Sequence, residues 1–284
     1  MRVIAGCGRD AERTASDCER LALEFGHPVA AFVDLGQLLR VTAIDALIVA
    51  APPDAHLPAL RVALDHGVHV LCEKPLVPLG ESEAVAAICD GFRSAELALV
   101  ENCQWPLVLA DFDRLHPGRS GSPSTFELGL SPAFAGQAML EDSASHFVSL
   151  AQALMPLRGD ATVRILAAPA DLDSRTSADF EVEFTSAGAT LRGRLELRRV
   201  REQPRPAHLV IDGARVDRSI RLPGYELWWR SPDGREERGD DPMESLVYGF
   251  VELIRERSLD RIRAESERVR TRARLYRGIL EACR

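Results

Sequence analysis

The chain has 284 residues, 46% of them hydrophobic and 27% charged, with a formal net charge of −8. That is the profile of a globular protein long enough for one large domain or two ordinary ones, and its negative balance speaks against nucleic acid or an anionic membrane as the main partner. No apolar run approaches the ~18 residues needed to cross a bilayer, no signal-peptide pattern opens the chain, and the six cysteines form no C-x-x-C pair or zinc-type spacing with the seven histidines, so a cytoplasmic protein without a metal site is expected.

Short apolar runs alternate with amphipathic stretches up to about residue 103, the pattern of a parallel sheet covered by helices. Val3–Cys7 reads as a strand, followed by a helix from about Asp10 to Phe25 that stops at Gly26. A short strand at Ala30–Val33, a helical stretch at Leu35–Arg40 and a fully apolar strand at Ala46–Ala51 follow, the last ended by Pro52-Pro53. A helix from about His56 to His66 stops at Gly67, Val68–Cys72 is again a buried strand, Ser82–Arg93 is helical, and Leu97–Val100 closes the set.

Beyond Trp105 the character changes. Helical stretches at about Leu107–Leu115 and Leu140–Leu154 bracket a strand at Thr125–Leu130. Period-two segments then run through Thr162–Ala167, Asp179–Thr185, Thr190–Val200, His208–Asp212, Arg215–Leu222 and Glu226–Arg230, with hairpin turns at Ser186-Ala187-Gly188 and Asp212-Gly213. The arginine-dense run from Arg192 to Arg205 alternates with leucines, so it predicts a strand with one solvated face. Two helices, about Pro242–Arg257 and Ala264–Cys283, end the chain. The expected fold is therefore α/β followed by α+β: a parallel-sheet lobe over residues 1–103, then a lobe with a large, mostly antiparallel open sheet over residues 104–284.

One residue stands apart chemically. Of 35 lysines and arginines, only Lys74 is a lysine, and it follows directly on the apolar run Val68–Cys72. An ammonium on a flexible stem can exchange a proton, which a guanidinium in a protein cannot. The strand ends at Ala51 and Cys72 would deliver Pro52, His56, Glu73 and Lys74 to one crevice, since ligands of open α/β sheets sit beyond the carboxyl ends of the strands. Further on, Asp142 and His146 lie four apart in a helical segment and share a face, which suits a proton relay but also suits two unrelated residues.

The run Ile44–Pro52, His56 and Ala63–Leu76, with Glu73-Lys74-Pro75 after a G-x-H-V strand, resembles the core of the glucose–fructose oxidoreductase/inositol dehydrogenase (Gfo/Idh/MocA) family. Asp142 and His146 match that family's D-x-G-x-H element, with Ala144 in place of its glycine and Ser149 in place of an acidic residue often found three positions after the histidine. The resemblance implies a Rossmann lobe for NAD or NADP and a second lobe carrying the substrate site and oligomer contacts. It casts Lys74 and His146 as acid–base and hydrogen-bonding groups supported by Asp142, with Arg9, Pro52, His56 and Glu73 on the cofactor.

The front of the chain departs from the pattern. Gly6-Cys7-Gly8-Arg9-Asp10-Ala11 formally fits G-x-G-x-x-A, yet the spacing from here to Asp45 suits the family's second strand. On that alignment the first strand, glycine loop and helix, roughly 25 to 30 residues of a βαβ unit, are absent, and Arg9 stands where NADP-using relatives contact the 2′-phosphate. Three functions then remain open: an NAD(P)-dependent oxidoreductase on a sugar-, cyclitol- or imine-like metabolite, a redox-free acid–base enzyme (isomerase, lyase or cyclase), or a non-catalytic scaffold. A homo-oligomer through the second lobe's sheet or the open Rossmann edge is expected.

Overall fold

The computed structural model describes residues 1–81 and 83–284. In its first hundred residues β1 (Ala5–Cys7) leads into α1 (Ala11–Phe25), which is started by Asp10, whose carboxylate accepts the Arg13 N–H at 2.8 Å, and stopped by Gly26 in the left-handed region at φ 68°. β2 (Ala30–Phe32), α2 (Leu35–Val41), β3 (Ala46–Val49), α3 (His56–Asp65), β4 (His69–Cys72), α4 (Ala84–Ser94) and β5 (Leu99–Glu101) follow. The expected start of the fourth helix at Ser82 lies outside the described residues.

These strands form two parallel sheets rather than one: β1 pairs with β2, and β3-β4-β5 stand as a separate set. The flanking bonds from His69 N–H to Asp45 O and from Glu73 N–H to Val49 O turn the odd-numbered residues of β3 toward β4. In a parallel ladder the alternate peptide groups, those of Ala46, Ile48 and Ala50, then face away from it. On β1 the bonds from Ala30 N–H to Ile4 O and from Gly8 N–H to Phe32 O leave the peptides of Ala5 and Cys7 facing outward in the same manner. A doubly wound sheet has the order 3-2-1-4-5-6. The observed β2-β1 and β3-β4-β5 correspond to strands 3-2 and 4-5-6 of that order as two separate sheets, and Ile48 of β3 is 49% exposed.

The second lobe begins with a 3₁₀ turn at Trp105–Val108 and α5 (Leu109–Leu115), then β6 (Thr125–Leu130) and α6 (Gln137–Leu154). β7 (Thr162–Ala167), β8 (Ser177–Ser186), β9 (Ala189–Arg198), β10 (Ala207–Ile211), β11 (Ala214–Arg221), β12 (Glu226–Arg230) and β13 (Glu236–Arg238) complete an eight-stranded sheet in the order β13-β12-β11-β10-β6-β9-β8-β7. Every neighbour is antiparallel except β6 and β9. Both expected hairpin turns form, with Ala187-Gly188 and Asp212-Gly213 at positive φ as a type I′ turn demands.

One face of this sheet buries against α6, where the rings of Phe126 and Phe147 stack 4.9 Å apart; Gly193 lies so close beneath them that a Cβ would strike both. The other face carries the arginine run, and it is solvated. Arg164 and Arg192 pair with Glu183, Arg194 with Glu127 and Asp179, and Arg198 with Asp179 and Glu196. Finally α7 (Pro242–Glu256) and α8 (Leu259–Ala282) return to the parallel sheet, where Phe250, Leu253 and Ile262 pack on Leu71, Ala98 and Val100. α8 starts five residues earlier than its apolar pattern suggests because Ser258 caps it, its hydroxyl accepting the Arg261 N–H.

Candidate active site

The end of β4 and the middle of α6 meet between the lobes. Lys74, two residues past β4, extends its ammonium to Asp142, donating to the carbonyl oxygen at 2.7 Å and to Oδ1 at 2.5 Å. The ion pair is largely withdrawn from water, with side-chain exposures of 15% and 30%. His146 lies one turn further along α6, and its Nδ1 is buried without a hydrogen-bond partner. Burial first, then the positive charges of Lys74, Arg218 and Arg272, hold its imidazole well below the ordinary histidine range, so the ring is neutral.

The loop carrying Lys74 is braced from beneath. Glu101, the last residue of β5, accepts the Leu76 N–H at 3.0 Å and pairs with Arg272 of α8 at 3.0 Å, both side chains being 5% exposed or less. Arg272 also donates to Gln152 of α6 at 3.0 Å, so a single guanidinium ties α8 to β5 and α6. Glu73 accepts from Asn102 at 2.5 Å and from the Lys74 backbone N–H at 3.3 Å. Cys72 and Cys103 lie close by, but burial pushes the Cys103 thiol up to about 12 and Cys72 higher still, which excludes a thiolate nucleophile.

The residues expected on a cofactor are distributed differently. His56 is fully buried, with Nδ1 2.9 Å from the Pro75 carbonyl and Nε2 2.8 Å from the Ala51 carbonyl. Both ring nitrogens are taken by backbone, so His56 stitches the end of β3 to the Lys74 loop and presents nothing to a ligand. Pro52 is exposed at the start of the 3₁₀ turn Pro53–Ala55. Arg9 is exposed between β1 and α1 and has no ion-pair partner among the described residues.

The turn at Gly6–Asp10 does not fit a pyrophosphate. A Cβ at Gly6 would lie 2.8 Å from Cys18 Sγ and one at Gly8 would strike Thr14 Oγ1, so these glycines make room for α1 itself. The N-terminus of α1, where a pyrophosphate would sit, already holds the Asp10 carboxylate. β1 is also separated from β3, the neighbour with which a first Rossmann strand pairs.

Two further features escaped the spacing of the sequence. Glu127, Glu196 and His208 bring their ligand atoms within 4.8 Å of one another on the solvated sheet face. Arg194 and Arg198 meet those carboxylates and His208 sits 2.8 Å from Glu127, which makes the group an ion-pair network. The second feature is Arg218, which reaches the inner side of the sheet from β11; its strand reads Val216, Arg218, Ile220 on one parity, a lone charge on an apolar row.

Residues 4–102 match the family model described as the Gfo/Idh/MocA oxidoreductase family with an NAD-binding Rossmann fold. An inositol 2-dehydrogenase from Saccharopolyspora erythraea is 29% identical over 145 residues, 48% of this chain and 40% of that one, so the chain spans less than half of that relative. Among solved structures, a 3-ketoreductase from Actinomadura kijaniata in complex with TDP-benzene and NADP aligns with 99% of this chain and 88% of its own at TM-score 0.67 and 18% identity. A UDP-N-acetylglucosamine 3-dehydrogenase from Acidithiobacillus ferrooxidans aligns with 97% and 89% at TM-score 0.62 and 21% identity. The chain matches the Gfo/Idh/MocA oxidoreductase family in its parallel lobe and shares the fold of these reductases and dehydrogenases along nearly its whole length.

Proposed function

We propose that the cleft between the lobes is the acid–base centre of a Gfo/Idh/MocA-type, NAD(P)-dependent oxidoreductase acting on a small sugar-, cyclitol- or imine-like metabolite. The observation that carries this reading is the desolvated Lys74–Asp142 pair with a neutral His146 one turn away. The ammonium stands ready to give a proton to an oxygen or nitrogen that gains negative charge as its carbon is reduced. When the reaction runs toward oxidation the same lysine, as the amine, takes that proton back, and the neutral imidazole serves as a hydrogen-bonding group beside the reacting oxygen or nitrogen. Asp142 holds the lysine in place and offsets its charge. The relative named for inositol supports a polyhydroxylated substrate.

Hydride transfer needs a dinucleotide, and the Gly6–Asp10 turn does not fit its pyrophosphate; the chain's own contribution is therefore confined to the proton. That misfit also favours a second reading, in which Lys74, Asp142 and His146 isomerise, eliminate or cyclise a metabolite without redox change. A second copy of the chain would pair through the antiparallel sheet or through the open edges of β1 and β3. Fluorescence titration with NADH and NADPH separates the two enzymatic readings. Binding, together with nicotinamide turnover on inositols or keto-sugars that disappears in Lys74→Ala, supports the oxidoreductase. Absence of binding at millimolar dinucleotide, with Lys74-dependent exchange of substrate C–H for deuterium in D₂O, sinks it in favour of the second.

A further inference from the structure

Among the described residues, the two cations closest to the Lys74 loop have carboxylate partners, and the half-buried Arg205 and Arg218 at the neighbouring sheet do not. Lys74 faces Asp142 and Arg272 faces Glu101, but Arg218 forms no ion pair among the described residues. Its placement on the inner face of β11 follows from register. It shares parity with Val216, which is 1% exposed, and stands opposite Trp229 on β12, also 1% exposed. Its guanidinium carbon lies 5.8 Å from the centre of the Trp105 ring, and one terminal nitrogen donates to the Arg205 carbonyl at 2.9 Å. Its Nε is buried with no partner at all, and so is the Nε of neighbouring Arg205. Burial without a carboxylate pulls the Arg218 pKa below its usual value, and the same charge is among those that keep His146 neutral.

A half-buried guanidinium with no carboxylate and a buried, unpartnered Nε is costly, whereas a planar fork with free N–H groups is the side chain best matched to an oxyanion. We infer that Arg218, backed by Arg205 and Trp105, is the anchor for an anionic group on the substrate, so that the metabolite processed at Lys74 and His146 is a sugar acid or sugar phosphate rather than a neutral sugar. The carboxylate or phosphate accepts the two-pronged donation from Arg218 on the sheet side of the cleft and supplies the missing counter-charge. The carbon undergoing reaction is thereby turned toward α6 and the Lys74 loop. This assignment rests on the reading of that cleft as the reacting centre.

The test reads binding separately from turnover. Tryptophan fluorescence, to which Trp105 reports directly, is followed as the whole chain is titrated with gluconate, glucose 6-phosphate, inorganic phosphate and neutral glucose. At least one of the three anions should bind tenfold or more tightly than glucose. Preference for gluconate identifies a carboxylate anchor, and preference for glucose 6-phosphate or inorganic phosphate a phosphate anchor. Arg218→Gln and Arg218→Met should abolish the preference, Lys74→Ala should preserve it, and Arg218→Met should melt no lower than the parent, because it removes an unpaired, half-buried charge. Equal binding of glucose and all three anions overturns the inference, as does an anion preference that survives Arg218→Gln. A melting temperature that falls sharply in Arg218→Met assigns the arginine a purely structural job and overturns it too. If the anion preference holds while no dinucleotide-dependent turnover is found, the oxidoreductase reading fails and the anion anchor stands.

Discussion

Removing Arg272 should both unfold the protein more easily and disorder the Lys74 loop. Its guanidinium is 5% exposed, bonded at 3.0 Å to Glu101 and at 3.0 Å to Gln152, while Glu101 in turn holds the Leu76 N–H two residues past Lys74. Arg272→Ala leaves the Glu101 carboxylate buried without its counter-charge, an error that costs about 3–5 kcal/mol. For a chain of this size each kcal/mol moves Tm by roughly 2 °C, so a fall of about 6–10 °C is expected in calorimetry. The double variant Glu101→Gln/Arg272→Met removes both charges, keeps an oxygen for the Leu76 N–H and fills the volume with apolar atoms. It should recover most of the loss, giving a coupling energy of about 2 kcal/mol in the cycle. A shift under 2 °C in Arg272→Ala, or a double variant as unstable as the two single losses added together, would refute the claim that this pair braces the loop.

The remaining predictions are simpler to state. If Lys74 is the proton donor proposed above, Lys74→Ala should lower kcat by roughly 10²–10⁴, with little change in far-UV circular dichroism because its side chain contributes little to the core. His146 is held neutral in the fold, so below about pH 6.5 the unfolded chain binds a proton that the native one does not, and stability should drop by up to about 1.4 kcal/mol per pH unit as acid is added; urea melts at pH 7.5 and 5.5 should show that slope reduced in His146→Gln. Asp10→Ala removes the cap of α1 and should cost about 1 kcal/mol of stability, measured by the same melts, while leaving turnover at the Lys74 cleft unchanged.

Much of this architecture was legible because local chemistry decides it. The apolar alternation of β6, β7 and β12 gave their bounds to the residue, and the solitary Lys74 and the Asp142–His146 spacing led straight to two elements that the fold brings together. What could not be read was whatever depends on partners distant in sequence. His56 begins a helix at the mouth of a strand, as a ligand-binding residue would, and only the fold shows its ring spanning the carbonyls of Ala51 and Pro75. β13 is Glu236-Glu237-Arg238, with no alternation to betray it, and is a strand because β12 offers its edge. Arg272 sits in an arginine-rich helix that reads as solvated until Glu101 is placed against it. Arg218 did leave a trace, as the one charge on the apolar parity of its strand.

The division of the parallel sheet separates the Lys74–Asp142 cluster from the Gly6–Asp10 turn. Lys74, Glu73 and Glu101 all lie at the ends of β4 and β5, and the groups that fix them, Asn102, Gln152, Arg272 and Asp142, come from the residue after β5 and from α6 and α8. None of these bonds involves β1, β2 or α1. The β1–β2 pair is a separate hydrogen-bonded unit whose helix packs on its own glycines. The bonds that hold the Lys74 cluster therefore run through β4, β5, α6 and α8, so a substitution in the Gly6–Asp10 turn should leave the geometry of that cluster intact.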